Sequence, residues 1–329
     1  MAVPGVTNPR ITVVGSYATG LTMKVKRLPS TGETLLGTGY RVDYGGKGSN
    51  QAVGSARLGA KVNFVARIGK DAFGEMALTL YRDEGIDVAH VKLTDDTPTG
   101  VGFIIVEVET GNNCIVIDPG ANELLTADDI SGCSAAFEST LVVLTQLEIP
   151  VAAAEAALRL GRAGGAITIL NPAPVRPLPP SILQLVDVLT PNQSEAKVLT
   201  SRSPDAIIEP EELARELIRS GVKQIVMTLG ERGALIVTPT SSTHVPAVPM
   251  SAVDTTGAGD AFNAGLSTAL ASGTSLEAAV QFAVVTGGLA VTKEGVIPSL
   301  PSCDEVRDFY QKSGMTPPAW FAGSSAPLQ

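Results

Sequence analysis

The sequence contains few of the residues that several common functional sites require. Its 329 residues include three cysteines, and no CxxC pair occurs among them. The two histidines, His90 and His244, are far apart, which argues against a zinc site. Neither a GxxxxGK[ST] phosphate loop nor a GxGxxG dinucleotide fingerprint is present. No Ser–His or Cys–His pair is apparent, so acyl transfer is also disfavoured.

Positive charge and long apolar runs are scarce as well. The net charge of −9 argues against sequence-independent nucleic-acid binding, which needs a basic surface. No apolar run has the length of a membrane span, and the N-terminal MAVPGVTNPR lacks the apolar core of a signal peptide. The cysteines, Cys114, Cys133 and Cys303, are odd in number and widely spaced, which is typical of a reduced protein. We therefore expect a cytoplasmic protein that binds neither nucleic acid nor membranes.

Most of the chain alternates between apolar strand patterns and helical patterns. Apolar runs at 62–69, 141–147, 166–170, 186–190 and 223–230 indicate buried strands. Between them lie helical segments such as 211–221, where Leu213 and Leu217 share one face and a glycine ends the pattern. This alternation predicts an α/β fold of three layers, with a doubly wound, mostly parallel sheet. Such sheets bind ligands at the carboxyl ends of their strands.

Two parts of the sequence interrupt this alternation. Residues 34–44 have a period of two, and a β-hairpin is predicted from 100–108 and 114–118. No helical pattern separates these strands, so we expect a small separate sheet formed by 18–45 and 100–119. The main α/β domain would then comprise 1–17, 46–99 and 120–312. The Pro/Gly/Ser-rich end, 313–329, is predicted to be a flexible tail.

The stretch VDTTGAGDAFN, at 253–263, places a carboxylate where a glycine-rich turn meets a helix. A helix start has free N–H groups and a partial positive charge, and the glycines at 257 and 259 leave those groups accessible to an anion. Asp260 could simply cap the helix, because Asp is a preferred N-cap. Alternatively, Asp260 could act as a base next to a bound anion.

Further polar residues follow other predicted strands. Each can be interpreted either as part of a loop or helix cap or as part of a ligand site. In YGGKGSN, Gly46, Lys47 and Asn50 form either a plain loop before a helix or the edge of a polar ligand site. Glu148 ends an apolar strand, where a buried carboxylate needs a partner. Asn192 and Glu195 fit a capping pattern or a ligand site. A carboxylate beside an anion hole suits a base that deprotonates a hydroxyl, with the helix start stabilising a transferring phosphoryl group.

Two longer motifs carry a resemblance to a known family. VDTTGAGDAFNAG and GGKGSNQAVGSARLGAKVNFVARIGKDAFG resemble the C-terminal and N-terminal signatures of the ribokinase (PfkB-type) sugar kinase family. STGET, LTQLE, NPAP, TPNQSE, TLGERGA and AVTKEGVIPS extend the similarity, in family order, over about residues 10–312. The resemblance implies a ribokinase-like fold whose small sheet is a lid, which we expect to pair two subunits into a homodimer.

The resemblance also implies ATP-dependent phosphorylation of a sugar at a primary hydroxyl, and it assigns roles to individual residues. Asp260 would be the general base, and the anion hole would be formed by Gly257, Ala258 and Gly259. The sugar would be bound by Gly46, Lys47, Asn50, Glu148 and Asp260. The nucleotide and Mg²⁺ would lie near Asn192, Glu195, Thr228, Gly230, Gly233 and Gly259. A K⁺ site would be formed by Asp254, Thr256, Ala290, Lys293, Gly295 and Ser299.

The sequence departs from the family after the first strand. The family has Gly-Ser-x-Asn-x-Asp there, and its Asp binds sugar hydroxyls, whereas this chain has GSYATG with Ala18 and Gly20. Loss of that charged contact should weaken ribose binding by an amount on the order of a few kcal/mol. Three functions remain open: a ribokinase with a re-routed contact, a kinase of another sugar or polyol (deoxy sugar, ketose or tetritol), and a non-catalytic sugar or nucleotide sensor.

Overall fold

The computed structural model describes residues 9–203 and 205–322, which form two β-sheets and flanking helices. Numbered in chain order, the strands are β1 (Arg10–Val14), β2 (Ala18–Val25), β3 (Thr38–Gly45), β4 (Lys61–Gly69), β5 (Val91–Thr94), β6 (Gly100–Glu107), β7 (Asn113–Asp118), β8 (Val142–Thr145), β9 (Ile167–Leu170), β10 (Val188–Leu189), β11 (Gln224–Thr228), β12 (Ala234–Val237) and β13 (Ser242–Val245). The helices are α1 (Lys47–Arg57), α2 (Ala72–Asp83), α3 (Ala127–Gly132), α4 (Val151–Ala163), α5 (Pro180–Leu183), α6 (Gln193–Leu199), α7 (Pro210–Arg219), α8 (Ala258–Ala271), α9 (Leu276–Ala290), α10 (Cys303–Ser313) and α11 (Ala319–Ala322).

The larger sheet has the order β13-β12-β11-β10-β9-β8-β1-β4-β5. The strand pairs from β5 to β11 are parallel, and β12 and β13 extend the sheet with antiparallel pairs. The order runs outward from β1 in both directions, as a doubly wound sheet requires. The predicted three-layer, mostly parallel α/β fold is therefore confirmed.

Helices cover both faces of the larger sheet, because successive strand residues point to opposite sides. On β1, Ile11 and Val13 join a core with α1, α2, α8 and α9. Val14 belongs to a second core, on the other face, with α4 and α7. In α7 the predicted stripe is buried at Leu213 and Leu217, and Pro210 occupies the first helical turn, where its missing N–H costs no hydrogen bond. No helix in the described ranges is long and apolar enough to span a membrane.

The smaller sheet has the order β3-β2-β6-β7. β6 and β7 form the predicted antiparallel hairpin, and β2 pairs parallel with β6. The strand predicted over 34–44 begins later, at Thr38, and Leu36 is 97 % exposed. The pairing of β3 with β2 ends at Thr38 and Lys24, and at Gly37 the chain still passes so close to β2 that a Cβ would lie 2.4 Å from Met23 Sδ. The alternation of residues 34–37 therefore does not correspond to strand pairing.

Asn122 anchors the smaller sheet to the larger one at Tyr17, the residue before β2. Its Oδ1 accepts a hydrogen bond from the Tyr17 N–H at 2.9 Å, and its Nδ2 donates to the Tyr17 carbonyl at 2.7 Å. Tyr17 is fully buried and makes an edge-to-face contact with Tyr81 of α2. The smaller sheet is thus joined to the core by a backbone segment whose polar groups are both satisfied.

Part of the predicted flexible tail is packed. In α11 the Phe321 ring is buried, with its centroid 5.1 Å from that of Phe282 in α9, and Trp320 makes an edge-to-face contact with the same ring. Burying aromatic rings is favourable enough to order a short helix. This packing differs from the flexible segment predicted for 313–329, whose last seven residues, 323–329, lie outside the described residues.

Candidate active site

The start of α8 is a turn whose two glycines have different reasons to lack a side chain. Gly257, the N-cap, has a φ of 82°, and a Cβ there would lie 2.8 Å from Val296 Cγ1. Gly257 is therefore required by the backbone conformation. Gly259 has no such constraint, and a Cβ built on it would meet nothing within 4 Å. The missing side chain of Gly259 thus leaves open space in front of the free N–H groups of the helix.

Asp260 is 6 % exposed, and both of its carboxylate oxygens accept hydrogen bonds from α1. Asn50 Nδ2 donates to Oδ2 and Gln51 Nε2 donates to Oδ1, each at 2.8 Å. The interpretation of Asp260 as the helix cap is wrong, because Gly257 occupies that position and has no side chain to accept a bond. Burial raises the pKa of Asp260 above its ordinary value, although the charge of Lys47 and the two amide bonds act in the opposite direction.

Glu148 stabilises the start of α1 from the loop that follows β8. Its Oε2 accepts hydrogen bonds from the Lys47 N–H at 2.8 Å and from Ser16 Oγ at 2.6 Å. The partner that a carboxylate at a strand end requires is therefore a helix N-terminus. Gly46, the N-cap of α1, has a φ of 89°, and a Cβ there would lie 2.7 Å from Tyr17 Cα. This close approach brings the loop against the start of β2.

The ammonium group of Lys47 lies among three carboxylates. Burial alone would lower its pKa, but the charges of Asp260, Glu148 and Glu195 outweigh burial, so the pKa is raised. Lys47 is thus fully protonated at neutral pH and supplies a fixed positive charge beside Asp260. That charge can offset part of the negative charge of a bound phosphate.

The residues predicted to bind the nucleotide have different local roles in the structure. Asn192 caps α6 and forms a capping box with Glu195, so the capping interpretation is correct. Burial raises the pKa of Glu195, against the lowering effect of the Asn192 N–H. Gly233 has a φ of 91°, and a Cβ there would lie 2.1 Å from the Val245 carbonyl oxygen, so its backbone role is clear. Gly230 also has a positive φ, of 61°, but a Cβ built on it would meet no atom within 4 Å.

A cavity of about 140 Å³ lies where these elements meet. It is lined by Lys47, Asn171, Ala173, Thr190, Asn192, Glu195, Thr228, Gly257, Gly259, Asp260 and Asn263. Seven of these are predicted site residues, drawn from four different motifs. The lining excludes Gly46, Asn50, Glu148, Ala258, Gly230 and Gly233, although Asn50 bonds Asp260 directly. The predicted meeting of the motifs at the carboxyl ends of the strands is therefore observed.

Several polar residues of the site were not singled out from the sequence. Gln51 links Asp260 to Asn171 Oδ1 at 3.1 Å and accepts a bond from Gln146. Thr190 Oγ1 donates to Asn263 Oδ1 at 2.7 Å, and Asn263 Nδ2 donates to the Gly259 carbonyl at 2.8 Å. Gln146 and Asn171 follow β8 and β9 directly, so the rule that sites form at strand ends could have identified them.

The residues predicted to bind potassium lie just before α8 and between the end of α9 and the start of α10, and Asp254 joins the two segments. Its Oδ1 accepts from the Thr256 N–H at 2.9 Å, and its Oδ2 accepts from the Gly295 N–H at 3.0 Å. The Lys293 ammonium pairs with Glu305, so Lys293 could contribute only its carbonyl. The Ala290 carbonyl accepts a long bond from the Lys293 N–H, and Ser299 Oγ donates to the Val296 carbonyl. Within residues 9–203 and 205–322 there is no group of three His, Cys, Asp or Glu side chains that could bind a metal.

The fold and this site together define a class of protein. A buried carboxylate beside an unobstructed helix N-terminus, at the carboxyl edge of a doubly wound sheet, is the arrangement of a phosphotransferase acting on a hydroxyl group. The model of the pfkB family carbohydrate kinases matches residues 8–303, and the chain belongs to that family.

Similarity to individual proteins narrows the class of carbohydrate kinase to which the chain is related. Ribokinase of Haemophilus influenzae is 35 % identical over 301 residues, which are 92 % of this chain and 98 % of that protein. Deoxyribokinase of Salmonella typhi is 33 % identical over 300 residues, 91 % of this chain and 98 % of that protein. The structure of Arabidopsis thaliana ribokinase complexed with ribose and ATP has 30 % identity and a TM-score of 0.85, covering 92 % and 98 % of the two chains.

These similarities establish an ATP-dependent sugar kinase of the ribokinase type, as the resemblance implied. The sugar-acceptor phosphotransferase activity and the ribokinase-like fold are thus confirmed as predictions.

Proposed function

We propose that the chain transfers the γ-phosphoryl group of ATP to a primary hydroxyl of ribose or a closely related sugar. The observation that carries the proposal is the position of Asp260. Two side-chain amides fix both of its oxygens, and the cavity opens beside it at the bare N-terminus of α8. The acceptor hydroxyl and the phosphoryl group can therefore meet between a base and an anion hole.

In the proposed reaction, Asp260 accepts the proton of the sugar hydroxyl as this oxygen attacks the γ-phosphorus. The free N–H groups at the start of α8 bind the oxygens of the transferring group, since Gly259 presents no Cβ in front of them. Lys47 offsets the negative charge that builds up between Asp260 and the phosphate. Asn50 and Gln51 keep the carboxylate oriented throughout, because they donate to it before the sugar is bound.

The remaining site residues fit ions that ATP chemistry uses. Mg²⁺ binds to substrate phosphates with one or two protein carboxylates, and Glu195, in the cavity wall, could supply one. When bound, Mg²⁺ would neutralise phosphate charge. Asp254 offers a charged oxygen to K⁺ beside the turn that leads into α8, with carbonyl oxygens nearby. Both assignments can be checked by the dependence of turnover on each ion.

The identity of the sugar depends on β2, where Ala18 and Gly20 occupy the positions at which the family resemblance implies polar side chains. A 2-deoxy sugar is the second candidate, since Ala18 and Gly20 offer no hydrogen bond to an extra hydroxyl. The deoxyribokinase of Salmonella typhi among the relatives favours this candidate. Ketoses and tetritols remain further candidates on the same ground.

The test is ADP release from ATP, with Mg²⁺ and K⁺, across ribose, 2-deoxyribose, ketohexoses, tetritols and nucleosides. Efficient turnover of ribose would support a ribokinase with a re-routed contact. Turnover of 2-deoxyribose with ribose inert would support the second candidate. No turnover of any sugar, with ADP still binding, would contradict the proposal.

We further propose that the smaller sheet is a lid and that two lids pair to form a homodimer. The supporting observation is an apolar face on which Phe103 and Val116 are paired across β6 and β7 and are 52 % and 62 % exposed. Faces of this kind mark interaction surfaces. A cytoplasmic location is also proposed, and it is supported by three free thiols, one of them exposed.

A further inference from the structure

One face of the smaller sheet begins beside the active site and extends away from it along β2. β2 begins two residues after Ser16, whose hydroxyl donates to Glu148 of the site. Ala18, Gly20 and Thr22 then alternate along one face of β2, since strand residues two apart point the same way. This face is opposite to the one that carries Phe103 and Val116, because Phe103 pairs with Leu21.

Asp43 lies beside Gly20 on this face. The two residues are direct cross-strand neighbours on β3 and β2. A Cβ built on Gly20 would lie 3.7 Å from Asp43 Cβ and 3.5 Å from Ile104 Cδ1, both ordinary contact distances. The space over Gly20 is therefore bordered by the Asp43 carboxylate.

Asp43 has one oxygen engaged and one available. Arg41 Nε donates to Oδ2 at 2.5 Å, and the described residues give Oδ1 no hydrogen-bond donor. The Asp43 side chain is 32 % exposed, so a ligand can reach it. The salt bridge with Arg41 therefore leaves Oδ1 as a hydrogen-bond acceptor at the side of the gap.

Two interactions connect β3 with the loops around the start of α8. β3 packs against the turn Ile297–Ser299, beside the loop that follows α9. The charge of Arg41 also acts on Asp254, which lies three residues before Gly257, the N-cap of α8.

We infer that Asp43 is a specificity-determining residue of the kinase. Its Oδ1 accepts hydrogen bonds from hydroxyls of the acceptor sugar, at the end remote from the phosphorylated hydroxyl, and Gly20 leaves the room for that end. The substrate class is then an uncharged sugar with free hydroxyls at that end, since a carboxylate binds hydroxyls through charge-assisted bonds and repels anions. This inference rests on the proposed function, because it places a sugar in the same site.

The experiment compares three variants by steady-state kinetics with the best sugar of the panel. Asp43→Ala is expected to raise KM for the sugar by about 10- to 100-fold, the effect of losing a hydrogen bond to a charged group. The values of kcat and of KM for ATP should change little, because Asp43 does not touch the phosphoryl group. Asp43→Asn should give an intermediate KM. Glu109→Ala removes an exposed carboxylate from the β6–β7 turn and is the matched control.

Gly20→Asp tests whether the two positions form one subsite. Alone, this change places two carboxylates directly opposite each other, which is unfavourable, so sugar binding should not improve. Combined with Asp43→Ala, it should return KM to within about threefold of the wild type, since one charged hydrogen bond is restored. A double variant no better than Asp43→Ala would overturn the single subsite.

The outcomes separate this inference from the proposed function. A wild-type protein that phosphorylates no sugar contradicts the proposed function itself. A wild-type protein that is active, with an unchanged sugar KM in Asp43→Ala, overturns the role of Asp43 alone. Loss of ADP binding in Asp43→Ala, measured by calorimetry, would also overturn that role, because the effect would not be specific to the sugar.

Discussion

Asn50 and Asp260 are joined by a hydrogen bond from Nδ2 to Oδ2, while Oδ1 of Asn50 is buried with no hydrogen-bond partner in the described part of the chain. This pairing makes the site tolerant of one particular change. In Asp260→Asn, the amide of Asn50 can turn over, so that its free oxygen accepts a bond from the new side chain. The isosteric variant should therefore fold with its site intact.

Asp260→Asn is expected to lower kcat by about 10²–10⁴-fold, the usual contribution of a general base. ADP affinity should stay near the wild-type value, because the free N–H groups of α8 are unchanged. Burial raises the pKa of Asp260, so an uncharged residue there should leave thermal stability equal or higher at neutral pH. Near-wild-type turnover by this variant, measured as ADP release, would exclude Asp260 as the base.

The pH dependence of kcat tests the environment of the same carboxylate. Asp260 must be ionised to accept a proton, and its pKa is raised by burial, so activity should fall as the pH drops through that raised pKa. Gln51→Glu replaces a donor to Asp260 by a second carboxylate, and a like charge raises the pKa further. The acid limb of the pH profile should move to higher pH. Gln281→Glu, an exposed exchange on α9, should not move it.

Gly259→Ala separates activity from stability. The added Cβ enters open space, and Ala is a better helix former, so stability should hold or rise by about 0.5–1 kcal/mol. The methyl group would obstruct the anion hole, and kcat/KM for ATP should fall at least about tenfold. The matched control is Gly265→Ala, whose Cβ would lie 2.2 Å from Thr286 Oγ1 inside the core.

That control should show the reverse pattern. Overpacking at Gly265 costs on the order of 1–3 kcal/mol of stability, while the folded fraction keeps its activity. Melting temperatures and steady-state kinetics of the two variants show whether each one loses activity or stability. Equal activity losses in both would mean that Gly259 has no special relation to the phosphate.

Phe103→Glu tests the proposed dimer. A charge in the centre of an apolar interface is costly, so the variant should sediment with the mass of one chain at concentrations where the wild type sediments as two. Ile207→Glu is the control, because Ile207 is fully exposed and lies outside the smaller sheet. A wild-type chain that is monomeric at high micromolar concentration would contradict the dimer, whatever the variants do.

The parts of the fold that depend on local pattern could be predicted from the sequence. Buried strands, the α7 stripe and the hairpin of β6 and β7 follow from periodicities of 2 and 3.6. The start of β3 could not be predicted, because it depends on where the pairing with β2 ends, at Lys24 and Thr38. The aromatic residues of α11 likewise acquire their burial from Phe282, which is distant in sequence.

For the active site, even fewer features could be predicted from the sequence. Asp260 and its glycine turn were identifiable, since their chemistry lies within a few consecutive residues. Gln51, which is over 200 positions away from Asp260, gains its role only after α1 and α8 pack together. Asp43 becomes relevant through its register with Gly20, and register is not readable from composition.

The double hydrogen bond between Asn122 and Tyr17 has a mechanical consequence. It clamps the backbone at one end of β2, and the strand then runs from Ala18 to Val25 without a second attachment of this kind. At ~3.3 Å per residue, β2 is a lever arm of roughly 23 Å, so a rotation of about 10° at Tyr17 would carry its far end about 4 Å. The same rotation would move Gly20 and Asp43, which lie near the pivot, by only a fraction of that distance.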